Sequence, residues 1–388
     1  MLALAGTTAV AAGAGNSFSG LTTTAGGSST YDADQINVEQ VTQTGKGVFV
    51  AVLDTGLVPN WNDYFPAARV RTDLGTGFDQ AVTFKAHADD PCGLEAEIGP
   101  LKQWTWVGST SSSGSHGTHV ASTIIGYFYD SNFDTAAGWS LPPTVVRGIA
   151  PDVTVIPVKV LADYQVPARP GCTDPDIDPT AHQSNFGTSE MVAAGIDYAT
   201  DLARKGYRPM VVNMSLGGDA LDPVEKTALD RAIANNVTIV AAAGNAGEDG
   251  MHFPGAYAPV ISAGASGWTK EWLRPDGQAG FYRLWWLQGA PLAGSGEVAE
   301  PTPVDDVFVA DFSSRAYAGQ DLDVLAPGNG CGARSRAIRA SRTSRGGRRE
   351  SATSSATAGA TSPTSAARAR RRRTSRPRPR SCCRRSRA

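Results

Sequence analysis

No apolar run in this 388-residue chain approaches the length needed to cross a bilayer, and the first fifteen residues, Met1 to Gly15, carry no basic n-region. They read either as the remnant of a signal peptide that starts upstream or as a flexible leader. Lysine and aromatic residues are missing altogether from residues 331–388, and a single acid, Glu350, lies there. The same stretch holds 18 of the 35 basic residues, so it carries a net charge of +17 while residues 1–330 carry −19. The two parts are different in kind. An acidic body is usual for a secreted enzyme and argues against a nucleic-acid partner, whose footprint would be basic. Only Cys92 and Cys172 remain in the body once Cys331, Cys382 and Cys383 of the tail are set aside. They are free to pair in an oxidising compartment, but spacing alone does not decide whether they do.

What is present divides into three parts. Residues 1–30 are Gly, Ser, Thr and Ala, read as a disordered leader. From Tyr31 to Asn329, short β-branched runs alternate with helical periodicity, and 330–388 is an Arg/Ser/Ala tail. Strands are predicted at Gly47 to Asp54, Val153 to Leu161, Met210 to Leu216, Val237 to Ala243 and Val260 to Ala263. One helix is predicted over Ser189 to Arg204, with Met191, Gly195, Tyr198 and Leu202 on one face. Another opens with Asp222 as cap and Pro223 in its first turn. Strand, helix, strand in repetition predicts an α/β fold of three layers, a mostly parallel sheet with helices on both faces. Ligands in such sheets sit at the carboxyl ends of strands. Asp54, the segment Ser215 to Gly218 and the pair Gly244-Asn245 all end strands, so they are expected along one edge. Two stretches fall outside the scheme: Trp61 to Ser115, and Gly267 to Asp311 with Trp268, Trp272, Trp285 and Trp286. The second reads as a hairpin packed on the surface, or as an aromatic rim that touches substrate.

Three short motifs carry chemistry. Asp54 closes Val48-Phe49-Val50-Ala51-Val52-Leu53, where a buried carboxylate can hold an imidazole by its Nδ1 proton. The Leu53-Asp54-Thr55-Gly56 pattern also marks aspartic peptidases, but these need a second such aspartate and none occurs. His116 opens an apolar stretch after Ser111-Ser112-Ser113-Gly114-Ser115, which sets it at a helix start. His119 shares its helical face and raises a metal reading that lacks a third ligand. Asn245 follows Ala241-Ala242-Ala243-Gly244, where an amide can donate to a developing oxyanion. Ser215, Leu216, Gly217 and Gly218 are small enough, in the main, to leave backbone free for an extended peptide.

With Gly148-Ile149-Ala150-Pro151, Val158-Lys159-Val160-Leu161, Phe312-Ser313-Ser314 and Leu325-Ala326-Pro327-Gly328, these motifs resemble the subtilases, the subtilisin-like serine peptidases, from about Gly47 to Gly328. The resemblance implies that Asp54 and His116 form the charge-relay pair and that Asn245 is the oxyanion donor. It implies that Ser215, Leu216, Gly217 and Gly218, with Ala242, Ala243 and Gly244, wall the substrate cleft. Polypeptide substrates, an extracellular location, a monomer with neither membrane nor nucleic-acid partner, and no cofactor for the chemistry are expected. Structural calcium is allowed by the family, with Asp89-Asp90 and Asp174 to Asp178 as acidic loops, but no ligand spacing identifies a metal site.

One part is missing. The family's Gly-Thr-Ser nucleophile segment should follow Gly328, and the basic tail stands in its place. If one base is lost after the Asn329 codon, each original codon is the last base of one tail codon plus the first two of the next. Ser365 to Arg376 then permits Gly-Gly-Thr-Ser-Ala-Ala-Thr-Pro-His-Val-Ala, with the serine spanning the codons of Arg368 and Ala369. The domain is therefore read as incomplete at its C-terminus and the chain as inactive. The rival readings are a genuine arginine-rich arm that binds anionic surfaces, a peptide-binding remnant, and a misfolded pseudogene product.

Overall fold

The computed structural model describes residues 18, 20–87, 89–105, 114–129, 143–174, 178–247, 250–269 and 304–328. Its centre is a nine-stranded sheet. In chain order the strands are β1 (Phe49–Asp54), β2 (Thr76–Asp79), β3 (Val82–Ala86), β4 (Leu94–Ile98), β5 (Lys102–Thr105), β6 (Gly126–Tyr129), β7 (Thr144–Arg147) and β8 (Thr154–Lys159). They continue with β9 (Ala162–Val166), β10 (His182–Phe186), β11 (Met210–Met214), β12 (Thr238–Ala242), β13 (Ile261–Trp268), β14 (Val307–Val309) and β15 (Val324–Pro327). The sheet runs β14-β13-β12-β11-β1-β8-β2-β5, and β15 pairs with β13. Pairing is parallel except between β2 and β5 and between β13 and β14. The pairs β3-β4, β6-β7 and β9-β10 are separate hairpins. All five strands read from the sequence lie in the parallel part, and the hairpin β3-β4 and the strands β2 and β5 occupy the stretch after Trp61.

The α-helices are α1 (Tyr31–Asp34), α2 (Ser115–Ile125), α3 (Ser189–Arg204) and α4 (Pro223–Ala234). Both long helices start where a side chain satisfies an orphan amide. Thr188 accepts from Met191 N–H ahead of α3, and Asp222 accepts from Val224 N–H ahead of α4, with Pro223 in the first turn.

Because β1 is central, its residues are buried on both faces. Ala51 and Leu53 pack with Ile156 and Val158 under Met191 and Ile196 of α3 and Leu229 of α4. Val50 and Val52 pack the other way, with Val155, Leu57 and Phe65, against Ala121 and Ile125 of α2. Each of the larger side chains among them, Val, Leu, Ile, Met or Phe, contributes roughly 1.5–3 kcal/mol by leaving water. The second face is unevenly covered: α2 lies over β1, whereas Val211 and Val240 are half-buried and Ile261 and Val324 are exposed.

The leader differs from the expectation of disorder over residues 1–30. Phe18 stacks on Phe128 at 4.8 Å, Thr24 is buried with its hydroxyl donating to Ile125 O, and Ser28 exchanges backbone hydrogen bonds with the β7 segment. A Gly/Ser/Thr stretch has little apolar surface, but its backbone can pair with an open strand edge, and this one does. Residues 1–17 lie outside the described set. A second difference concerns the insertion from Gly267. Gly267 and Trp268 belong to β13, paired antiparallel with Val307 and Phe308 of β14, and Trp268 is only 5% exposed beside Tyr31. Trp268 is thus a core residue and not a rim; Trp272, Trp285 and Trp286 lie outside the described residues.

Cys92 and Cys172 form a disulfide across a sequence separation of 80 residues. It ties the loop after His87 to the loop between β9 and β10, and Arg169 also crosses between them by donating to Cys92 O at 3.4 Å.

Candidate active site

Three neighbouring parallel strands, β1, β11 and β12, present their carboxyl ends side by side, and the predicted residues follow them in that order. With neighbouring strands about 4.8 Å apart, the spread from Asp54 to the β12 turn is on the order of 10 Å.

Asp54 is the last residue of β1 and is fully buried. Its Oδ1 accepts the Thr55 N–H at 2.6 Å, which fixes the carboxylate plane. His116 stands in the first turn of α2, and its Nδ1 lies 2.8 Å from Oδ1 and 2.9 Å from Oδ2 of Asp54. The imidazole is 37% exposed, so one nitrogen is held by Asp54 while part of the ring is open to solvent. Burial works against a charged imidazole here, but the hydrogen bond and the negative charge of Asp54 outweigh it and hold the His116 pKa above its ordinary value. The stabilisation from this pair is therefore present below the ordinary histidine range and is lost as pH rises through the elevated value.

The residues around His116 explain why the motif reads as it does. A Cβ on Gly117 would stand 2.3 Å from Gly56 O and 3.2 Å from Asp54 Oδ1, so the helix can approach β1 this closely only through a glycine. Gly117 N–H donates to Thr55 Oγ1, and the Thr118 hydroxyl donates to Gly114 O while accepting from Val58 N–H. Gly114, Thr118 and Val58 are thereby tied into one rigid join between α2 and the loop after β1. His119 is pushed to a lower pKa by burial and by the neighbouring His116. Among the described residues no three His, Cys, Asp or Glu side chains come together in a metal-binding group.

Lys159, paired in register with Asp54, closes β8. Its Nζ donates to Thr55 O at 3.0 Å and to Leu161 O at 2.6 Å, and burial lowers its pKa. In the sequence this residue was quoted only within the segment Val158-Lys159-Val160-Leu161 and given no role; the signal was a lone charge ending an apolar strand.

Asn245 is exposed on the turn after β12. That turn depends on Gly244, at φ 109° and with a would-be Cβ only 2.8 Å from His252 Cγ and from Ser314 Oγ. Ser314 supports it from below: its N–H donates to Gly244 O and its hydroxyl accepts from Ala246 N–H. Ser313 does the same for β13 by accepting from Ala265 N–H, which gives Phe312-Ser313-Ser314 a structural meaning. Of the expected cleft walls, Ser215, Leu216 and Gly217 follow β11. Gly218 differs from expectation: its N–H and C=O both pair with Phe253 at 2.8 Å, so this residue offers no backbone to a peptide. A glycine with no side chain lets another strand of the same protein approach first. Ala243 likewise has both backbone groups taken, its N–H by Ala263 O and its C=O by His252 N–H.

The model of the subtilase family matches residues 45–375. The chain belongs to the subtilase family. It is 33% identical over 161 residues to subtilisin DY of Bacillus licheniformis, covering 40% of this chain and 44% of that one. To the major intracellular serine protease of Bacillus subtilis (strain 168) it is 29% identical over 232 residues, 58% of this chain and 53% of the relative. The chain thus spans about half the length of these relatives. The solved S41 psychrophilic protease aligns over 78% of this chain and 74% of its own, at 23% identity and a TM-score of 0.44. This subtilase shares with those relatives a family of serine peptidases, and its own sheet, mostly parallel with helices on both faces, is the three-layer α/β arrangement read from its sequence.

Proposed function

We propose that the intact form of this polypeptide is a subtilisin-type endopeptidase that cleaves peptide bonds through a serine acyl-enzyme, and that the chain as written is inactive because its nucleophile segment is out of frame. The observation that carries the reading is the grip of Asp54 on His116 Nδ1 at the carboxyl edge of the sheet. A carboxylate in that position fixes the ring's orientation and tautomer and stabilises the imidazolium that forms when the ring takes a proton from a hydroxyl. Asn245 then donates to the oxyanion, and loss of one such donor costs roughly 3–4 kcal/mol of transition-state stabilisation. The substrate lies extended along Ser215 to Gly217, with Ala242 to Gly244 as the facing wall.

Two observations favour the lost frame over a functional basic arm. The change of composition falls directly after β15, where the motif order calls for the serine. The second face of the sheet is also poorly covered at Val240, Ile261 and Val324, where a fold of this kind needs a packed helix. We read the enzyme as secreted, because its body holds a disulfide and several relatives are extracellular. Polypeptides are its partners, and a monomer acting without cofactor is expected.

Expression of the gene with one base inserted after the Asn329 codon tests the proposal. The repaired protein is expected to bind a serine-directed fluorophosphonate and to hydrolyse a casein or peptide substrate, and the chain as written is expected to do neither. Labelling of the unrepaired chain would falsify the frame reading. A cleft that binds peptides at micromolar affinity in the unrepaired chain, without turnover, would make it a binding remnant.

A further inference from the structure

Lys159 closes β8 between two other strands, in register with Asp54 of β1 on one side and with Gly77 of β2 on the other. Its side chain is half-buried. An ammonium in such a place needs hydrogen bonds to replace its water, and it takes them from Thr55 O at 3.0 Å and Leu161 O at 2.6 Å. Thr55 is 2% and Leu161 6% exposed, so water has little access to either residue. Burial lowers the pKa of this amine, while Asp163 of β9, Asp54 of β1 and Asp79 of β2 act the other way and favour the charged form.

Both carbonyls belong to residues that hold Asp54. Leu161 N–H donates to Asp54 O at 3.2 Å, beside Val160 N–H at 2.9 Å. Thr55 N–H donates to Asp54 Oδ1 at 2.6 Å, and Thr55 Oγ1 accepts at 3.0 Å from Gly117 N–H, in the helix that carries His116. With Lys159 on its carbonyl, Thr55 is held at each of its polar groups. The bonds form a ring: Asp54 O to Leu161, Leu161 through the ammonium to Thr55, and Thr55 back to the Asp54 carboxylate. Its strong members are the bonds from the ammonium and to the carboxylate, because hydrogen bonds with a charged partner are roughly twice as strong as neutral ones.

We propose that Lys159 is a positioning residue of the Asp54-His116 pair: its ammonium locks the Thr55 turn, and the locked turn holds the Asp54 carboxylate in the plane that grips His116 Nδ1. It acts through Thr55 and Leu161, not on the imidazole itself. The inference deepens the charge-relay reading above and rests on it. Two effects of the lysine on His116 have opposite signs. Its positive charge offsets part of the Asp54 charge, so removing the charge alone would raise the His116 pKa. Loosening the carboxylate weakens the hydrogen bond that holds that pKa up, and lowers it. The second effect is the larger, since the hydrogen bond from Asp54 raises the His116 pKa more than the Asp54 charge does. The other titratable group facing His116 is His119, which stays the same in every variant below.

The test uses the full chain as it exists, with the His116 imidazole titrated by NMR and folding checked by circular dichroism. Lys159→Met keeps the apolar stem and removes the charge and its donors. In this variant the His116 midpoint is expected to fall by about half a pH unit, roughly a threefold change in its protonation constant. A merely structural loss, spread over the fold, would leave the midpoint of the folded protein where it was. An unchanged or raised midpoint in the folded variant overturns the inference. If the methionine variant does not fold, Lys159→Gln, which keeps an amide donor and no charge, takes its place with the same expected sign. In the unaltered chain the Lys159 ammonium protons are expected to exchange slowly enough to be seen in a nitrogen-proton spectrum in mildly acidic buffer; exchange as fast as that of the exposed lysines overturns the inference without any variant. A His116 that titrates at the ordinary histidine value in the unaltered chain overturns the relay reading itself, and the inference falls with it.

Discussion

Replacing Glu225 by glutamine should stabilise this protein above neutral pH and leave it unchanged in acid. Glu225 sits in the first turn of α4, three residues after the Asp222 cap, and is buried. Burial raises its pKa from 4.5 to about 7, with the charge of Asp222 adding to the effect. The folded chain therefore holds this proton through a range in which the unfolded chain has released it. Below the ordinary carboxylate range both states are protonated and the group costs nothing. Stability declines as pH climbs through the interval up to about 7, and above it the full cost persists. A difference of that size corresponds to about 3 kcal/mol, since each pKa unit is worth about 1.4 kcal/mol. Glu225→Gln keeps the shape and removes the ionisation. Urea unfolding of both proteins from pH 4 to pH 8.5 should give coincident stabilities at pH 4 and a variant more stable by up to about 3 kcal/mol at pH 8.5, equivalent to ~5 °C or more in Tm. A variant whose offset from the parent is the same at both ends of the range would refute the reasoning, because packing changes alone do not depend on pH.

Gly117→Ala forces a methyl group to within 2.3 Å of Gly56 O, so α2 must move off β1. A loss of about 1–3 kcal/mol in denaturant unfolding is expected, together with a fall of the His116 pKa towards the ordinary value in an NMR titration as Asp54 is drawn out of reach. Cys92→Ala with Cys172→Ala opens a loop of 80 residues, and unfolding in urea should show a loss of about 2–4 kcal/mol. An equal midpoint in the presence and absence of reductant would mean that the disulfide does not form.

The parts of the fold that were legible in the sequence are those with a local cause. The apolar run from Val48 to Leu53 could only be a strand buried on both faces, and Thr188, Asp222 and Pro223 mark helix starts through side chains that act within one turn. The Asp54 and His116 motifs were readable because the neighbours that the chemistry needs are also the neighbours that the backbone needs: Gly117 for close approach, Thr55 and Thr118 for hydrogen bonds. Lys159 and Ser314 were quoted only inside family-like segments and given no role, since a single lysine or serine does not announce its partners: Lys159 reaches Thr55 O, and Ser314 reaches Gly244 and Ala246, far along the chain. The hairpin β3-β4 was unread because its alternation is short and its strands are largely exposed.

By itself the sequence determined the layer architecture, the edge on which the candidate site lies, the family, and the break in texture after Gly328, because all of these follow from periodicity, caps and motif order. Tertiary structure alone decided that Cys92 meets Cys172, that Ser28 pairs with β7, that Gly218 is already paired with Phe253, and that His252 fills the gap between Gly217 and Gly244. The physical reason is common to all four. Each joins segments whose proximity depends on how the intervening chain closes, and the free energy of that closure is spread over the whole core and is not encoded at the residues that meet.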